Sequence, residues 1–438
     1  MGRKMFPPSP MAVKMSIDSP LNAEHDILQI YHGDRAIELL SYRTLGAEAS
    51  LSRRMPERVL QFGDGNFLRG FVDDFIDQMN EKANFDSSVV IVPPASTGKT
   101  GRINRQDGLY QLYLRGKLNG QVVDQRRLIR CVSRSLDVFT QWQELLDFVC
   151  GDELRFVISN TTEAGIVYDP TCRFDDCPPA SFPVKLTRLL WQRWHAGKPG
   201  LILLPCELIA DNGTVLRDTV LRHAADWALE EDFLRWLREE NRFCNTLVDR
   251  IVTGCPAAQA PRLNAENGYE DALLDTAEPF GLWVIEGDEA LSREFPAQKA
   301  GLPVKLVADH HPYKEQKVRI LNGGHTSMVL AAYLAGHDII RECMEDEAIR
   351  GYLEGTLFQE IIPTRSLPRE DCEAFARAVE ERKQQNRRAE NTAGGLGPGA
   401  HGVSGVSVRP GRTGCRQGTA ASAHRPRRQG RSVQHPRQ

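Results

Sequence analysis

The sequence predicts an α/β fold: a doubly wound, mostly parallel sheet followed by a largely helical C-terminal part. Three observations carry this expectation. Short apolar runs alternate with amphipathic stretches from about residue 58 to 205, a glycine turn follows the first run, and the helical period takes over from about Asp226.

The elements justify themselves in order. "RVLQF" (58–62) reads as a strand, "GDGN" as a turn and "FLRGFVDDFIDQMNEK" as an amphipathic helix. Its Phe67, Phe71, Phe75 and Met79 recur every four positions. "SVVIV" (88–92), "RFVIS" (155–159) and "LILLP" (201–205) are short and apolar, as buried parallel strands should be. "DWALEEDFLRWLREENRF" is expected to be one amphipathic helix, and "LNGGHTSMVLAAYLAGHD" a buried apolar one. "HDILQIYHGDRAIELLSYRTL" near the N-terminus could form a short helix. The expected organisation is a poorly ordered extension over 1–54, a nucleotide-binding domain over 55–272, a partial, truncated helical domain over 273–383, and a disordered tail over 384–438.

Composition narrows the function. The 438 residues, 41% hydrophobic and 26% charged, describe a globular chain with room for two domains. No run approaches the ~18 apolar residues of a membrane span, and no secretion signal is expected. Ten scattered cysteines without a CxxC pair point to the reducing cytoplasm. The tail holds ten Arg, no Lys and one acid. Without it, 55 basic and 58 acidic residues become 45 and 57, a net −12, which argues against nucleic acid as the folded part's partner. The tail has one Leu and no Ile, Phe, Met, Trp or Tyr, too few apolar groups to offset chain entropy. A reading-frame change near Lys383 accounts for this composition; an Arg-rich, nucleic-acid-binding tail is the competing reading.

Chemistry concentrates in a few motifs. In "FGDGNFLRG", Gly63 and Gly65 permit a tight turn and close approach of backbone to a pyrophosphate at a helix N-terminus, with Asn66 and Phe67 beside it. This is a Rossmann-type signature, although Leu68 stands where a third glycine is usual. After the second strand, Pro93 and Pro94 replace the usual ribose-binding acid. Ser96, Thr97 and Lys99 could take that role, which leaves NAD and NADP both open. "SNTTEAGI" puts Asn160, Thr161, Thr162 and Glu163 at a strand's carboxyl end, where α/β folds place ligand contacts; an ordinary polar loop is the alternative. Asp249 and Arg250, between apolar residues, could be a half-buried ion pair. Asp309, His310 and His311 suggest a metal, but adjacent histidines rarely converge on one ion, and no metal is expected.

In "KVRILNGGH", Lys317, Asn322 and His325 stand five and three positions apart. On an α-helix, Asn322 falls about 140° and His325 about 80° from Lys317, within one arc. An amine, an amide and an imidazole facing one way can polarise and protonate a carbonyl without a metal. Taken alone, the segment also reads as an N-terminal helix turn with a surface lysine and a hydrogen-bonded histidine.

These motifs, with "ERVLQFGDGNFLRGFVDDFID", "LRFVISNTTEAGI", "LLPCELIADNG", "FCNTLVDRIVTG" and "PYKEQKVRILNGGHT", resemble the mannitol dehydrogenase family of long-chain, metal-independent polyol dehydrogenases. The likeness runs from about Pro56 to Arg382. It implies NAD(H)-dependent reduction of a keto-uronate, tagaturonate, to the secondary alcohol altronate, with fructuronate as the alternative substrate. Lys317 would be the acid/base, Asn322 would hold the substrate oxygen, and His325 would orient the substrate, with Asp249 and Lys314 also on the substrate. Two departures stand out. Leu208 replaces an asparagine of hexitol-oxidising relatives, and the chain past Arg382 lacks their Arg-Phe-x-Asn-Pro element. The second implies loss of a pocket-closing segment, and makes an inactive cofactor-binding remnant a further alternative. The oligomeric state stays open.

Overall fold

The computed structural model describes residues 30–32, 35–46, 55–94, 99–161 and 165–385. The chain divides into two compact units, the first running to Tyr313 and the second beginning at Lys314. The tail from 386 lies outside the described residues, as do most of residues 1–54.

The first unit is built on a six-stranded parallel sheet. Its strands are β1 (Glu57–Phe62), β2 (Ser88–Val92), β3 (Val132–Ser135), β4 (Phe156–Ser159), β5 (Ile202–Pro205) and β6 (Arg242–Phe243). Their order is β3-β2-β1-β4-β5-β6, so the winding reverses between β1 and β4. In such sheets ligands bind at that reversal, outside the carboxyl ends of the strands. The inner strands β2, β4 and β5 read as largely apolar runs, as expected where helices cover both faces. β2, β4 and β5 are buried along their whole length.

After β1 the chain enters a helix at Asn66, widens to π-type bonding over Arg69–Asp73, and continues as α1 (Asp74–Ala83). Phe71, Phe75 and Met79 are buried on it, and Phe71 and Phe75 pack with Trp283 at centroid distances of 5.5 and 6.4 Å. Further helices are α2 (Phe182–His195), α3 (Asn212–Asp226) and α4 (Glu231–Glu239). The single helix expected over 226–243 is thus broken, and its end, Arg242–Phe243, is strand β6. Pairing with β5 captures these residues, a tertiary effect that helical periodicity cannot register.

The boundary expected at 272/273 falls earlier than the division after Tyr313. Three strands lie between the two. Asp275–Ala277 joins Tyr110–Leu118 in parallel, while Leu282–Glu286 pairs with Thr246–Asp249 and Val304–Val307. The stretch read as a short N-terminal helix instead contains two short antiparallel strands, Ile30–His32 and Arg35–Ile37, and one helical turn, Tyr42–Leu45, capped by Ser41. Ile and Tyr suit a strand better than a helix there.

The second unit is helical. The division falls inside α5 (His311–Gln316), which continues as a π-type stretch, Lys317–Gly323, and then α6 (Gly324–Ala335). α7 (Glu347–Gly355), a π-type stretch Thr356–Ile361 and α8 (Arg369–Gln385) follow. α6 is not the buried helix expected. Only Gly324, Met328 and Ala332, four apart, are buried, whereas Leu330 and Leu334 are 73% and 85% exposed. Gly324 packs closely: a Cβ there would come within 2.9 Å of Leu357 Cδ2. Among the described residues no helix is long and apolar enough to cross a membrane.

Candidate active site

The candidate residues are divided between the two units. In the first, the ends of β1, β2 and β4 are tied together: Gly63 N–H donates to Val92 O (2.9 Å) and Asn160 N–H to Phe62 O (3.0 Å). Gly63 takes φ +128°, and a Cβ there would sit 2.9 Å from Leu68 Cδ1 and 3.0 Å from Asn160 O, so only glycine fits. Gly65 differs. A Cβ at Gly65 would meet no protein atom within 4 Å, which leaves its backbone open to a ligand at the helix N-terminus.

A cleft of about 440 Å³ opens at these strand ends, walled by Phe62, Val92, Pro93, Pro94 and Phe182, with Lys185 in its lining. Apolar walls with a few polar groups suit an adenosine moiety. Lys185 is 5% exposed and donates to Ala180 O (2.8 Å). Burial holds its amine below the ordinary lysine value. Sequence reading missed Phe182 and Lys185 because they belong to α2, far from any glycine motif.

The loop after β4 is held from beneath by Glu207, also missed. Its Oε1 accepts from Thr161 N–H (2.9 Å) and Thr161 Oγ1 (3.0 Å), and its Oε2 from Ser159 Oγ (3.1 Å). Burial raises the Glu207 carboxyl, and these donors pull against it. Asn160 Nδ2 donates to Cys206 O (2.8 Å). The side chains of Asn160 and Thr161 therefore shape the loop. Thr162 and Glu163 lie outside the described residues, as do Ser96, Thr97 and the side chain of Lys99. Asn66 is exposed, accepts from Arg69 Nη2 (2.7 Å) and packs against Gly254, while Phe67 packs on the core and on Phe71 (5.2 Å).

Asp249 ends the strand Thr246–Asp249 and is 7% exposed. Its neighbour Arg250 turns to Asp74 Oδ2 (2.8 Å) and Gly70 O (2.9 Å).

In the second unit, Lys314 is half-buried on α5, and Lys317, Asn322 and His325 lie on one continuous helical stretch. The π-type segment changes their spacing. With i→i+5 bonding, Asn322 sits one turn beyond Lys317 and closer to its direction than the 140° of an α-helix. Lys317 is half-buried and Asn322 exposed. His325 is half-buried, and its Nε2 is enclosed with no hydrogen-bond partner among the described residues. Burial, with the Lys383 amine nearby, holds the ring below the ordinary histidine value, so it is neutral at neutral pH. Lys383 was not legible as a site residue. It is 7% exposed on α8, and burial, with Arg382, brings its amine to about 8. Gln316 anchors the start of this stretch by donating to Asp371 O (3.2 Å).

A 3-2-1-4-5-6 parallel sheet with an open glycine turn, joined to a helical unit bearing lysine, asparagine and histidine, defines a dinucleotide-dependent dehydrogenase architecture. The chain belongs to the mannitol dehydrogenase family: the family's Rossmann-domain model matches residues 57–299, and its C-terminal-domain model 309–392. It is similar to altronate oxidoreductase of Escherichia coli O7:K1, 48% identical over 343 residues, 77% of this chain and 71% of the relative. The altronate oxidoreductase of Klebsiella pneumoniae is 47% identical over the same lengths. Among solved structures, a D-sorbitol dehydrogenase aligns with TM-score 0.67 and 26% identity, covering 76% of this chain and 70% of that one. The mannitol 2-dehydrogenase of Pseudomonas fluorescens, in a ternary complex with NAD and D-mannitol, aligns with TM-score 0.62 and 25% identity, covering 76% and 69%.

Proposed function

We propose that the chain reduces the keto-uronate tagaturonate to altronate with NADH, reversibly, in the cytoplasm. The observation that carries this reading is the Lys317, Asn322, His325 constellation on a π-widened helix in a chain 48% identical to altronate oxidoreductases. The open backbone at Gly65 and the apolar cleft beside it fit a dinucleotide, which would supply the hydride. Nine free cysteines among the described residues fit a reducing compartment.

The residues divide the remaining work. Hydride addition builds negative charge on the carbonyl oxygen, which a positioned cation stabilises and then protonates. Lys317 takes that role, giving its proton to the new alkoxide in reduction and accepting it in oxidation. Asn322 offers a neutral N–H to the same oxygen. The neutral imidazole of His325 orients a substrate hydroxyl. Leu208, 52% exposed after β5, has no donor to add, so Asn322 holds the oxygen with less help.

The test is steady-state NADH oxidation with tagaturonate, its epimer fructuronate and neutral fructose. Tagaturonate should be preferred in kcat/KM by about 10-fold or more, since a site that hydrogen-bonds hydroxyls discriminates their configuration. Equal or better turnover of fructuronate would move the chain to that substrate.

A further inference from the structure

Apart from that cleft, five side chains of the first unit meet at one point. Asp309, His310 and His311 follow the strand Val304–Val307, Glu286 ends Leu282–Glu286, and Asp211 stands before α3 with left-handed backbone (φ 54°, ψ 43°). Ligand-type atoms of Glu286, Asp309, His310 and His311 lie within 4.8 Å of one another. His310, 2% exposed, has its Nδ1 2.6 Å from Glu286 Oε1. The Nδ1 of His311 is 2.6 Å from Asp309 Oδ1. A carboxylate at Nδ1 draws the ring proton there and leaves Nε2 with its lone pair, the tautomer that binds metals.

Both Nε2 atoms lie near the same oxygen. Asp211 Oδ1 is 3.1 Å from His311 Nε2 and 3.5 Å from His310 Nε2. That oxygen is buried, yet neither contact has hydrogen-bond geometry. A pair of imidazolium–carboxylate bridges would aim N–H at oxygen. Neither ring does so here. Tetrahedral ligation at ~2.0–2.1 Å sets neighbouring ligand atoms roughly 3.3 Å apart, and the two separations bracket that length.

We propose that Asp211, His310 and His311 form a site for a divalent cation of the zinc class, with Glu286 and Asp309 orienting the rings from behind. Three carboxylates around two imidazoles suit a dication, and the mixed nitrogen and oxygen donors suit Zn²⁺ or Co²⁺ better than Ca²⁺ or Mg²⁺. His311 is 56% exposed on its side chain, so the ion has an entry path and a position for water. The site is independent of the reductase reading. It would staple the start of α3 to the segment that leads into α5.

The experiment uses the full chain, stripped with chelator, and titrates Zn²⁺ by calorimetry and Co²⁺ by visible absorption. One ion per chain should bind, with a four-coordinate Co²⁺ spectrum and a raised thermal midpoint. Asp211→Asn and His311→Ala should each weaken binding about 10-fold or more. Both variants should keep the metal-free midpoint and the NADH affinity of the parent. Failure of Zn²⁺ to bind the parent, or equal affinity in parent and both variants, overturns the proposal.

Discussion

Two of the three stretches that open to π-type bonding among the described residues, Arg69–Asp73 and Lys317–Gly323, are used in opposite ways. Over Arg69–Asp73 all five residues are buried; over Lys317–Gly323 only Ile320 is. The first widening serves packing. Tyr110 Oη lies within hydrogen-bond reach of both the Arg69 carbonyl (3.0 Å) and Asp73 Oδ2 (2.9 Å), while the Arg69 guanidinium reaches Leu273 O and Asn66 and stands 3.7 Å from Asp275 Oδ2. The second turns a lysine and an amide toward one side of the helix and leaves the amide exposed. A π-bulge is therefore no functional mark in itself. What surrounds it decides whether the displaced groups are consumed by the core or offered to a ligand.

The sharpest break between the two is expected from truncating their cations. Arg69→Ala leaves Asp275 and Asp73 buried without their cation and should cost about 3–5 kcal/mol in urea unfolding. A loss below about 1 kcal/mol would mean that the buried network is dispensable. Lys317→Ala should reverse the pattern. Stability should change by no more than ~0.5 kcal/mol, while kcat falls at least ~10²-fold, about 2.7 kcal/mol of barrier, with NADH affinity kept. A drop of less than tenfold removes Lys317 from acid/base work.

A smaller effect separates the two glycines of the first turn. Gly65→Val should weaken NADH binding by about 2 kcal/mol at an unchanged thermal midpoint, because only a ligand stands to clash with it. Gly63→Ala should instead lower the midpoint. Fluorescence titration beside thermal melts decides the matter, and equal NADH affinity for Gly65→Val and parent would refute the phosphate-loop reading.

The gentlest probe is pH. Burial raises Asp73 to about 7 from 3.8, against the pull of Tyr110 and Arg69. The folded state then holds a proton that the unfolded state has released, so stability falls as pH rises from roughly 4 to 7, by at most ~1.4 kcal/mol per pH unit for this group. Asp77, also raised to about 7, adds in the same direction. Asp73→Asn should flatten part of that slope in melts across this range; an identical slope would mean that Asp73 is ionised throughout.

By itself the sequence determined the strands β1, β2, β4 and β5, the glycine turn and the order of lysine, asparagine and histidine. Each is written in neighbouring residues: apolar runs bounded by turns, glycines between a strand and a helix, and side chains a few positions apart on one helix. Only the tertiary structure decided the rest. Arg242 and Phe243 became a strand because β5 was there to pair with them. Asn160 and Thr161 were drawn down by Cys206 and Glu207, some 46 positions along the chain. His310 and His311 met Asp211 and Glu286, which no local spacing links to them. These depend on packing and on partners distant in the chain, and hydrogen-bond and charge energies are set by separations in space that a local pattern does not encode.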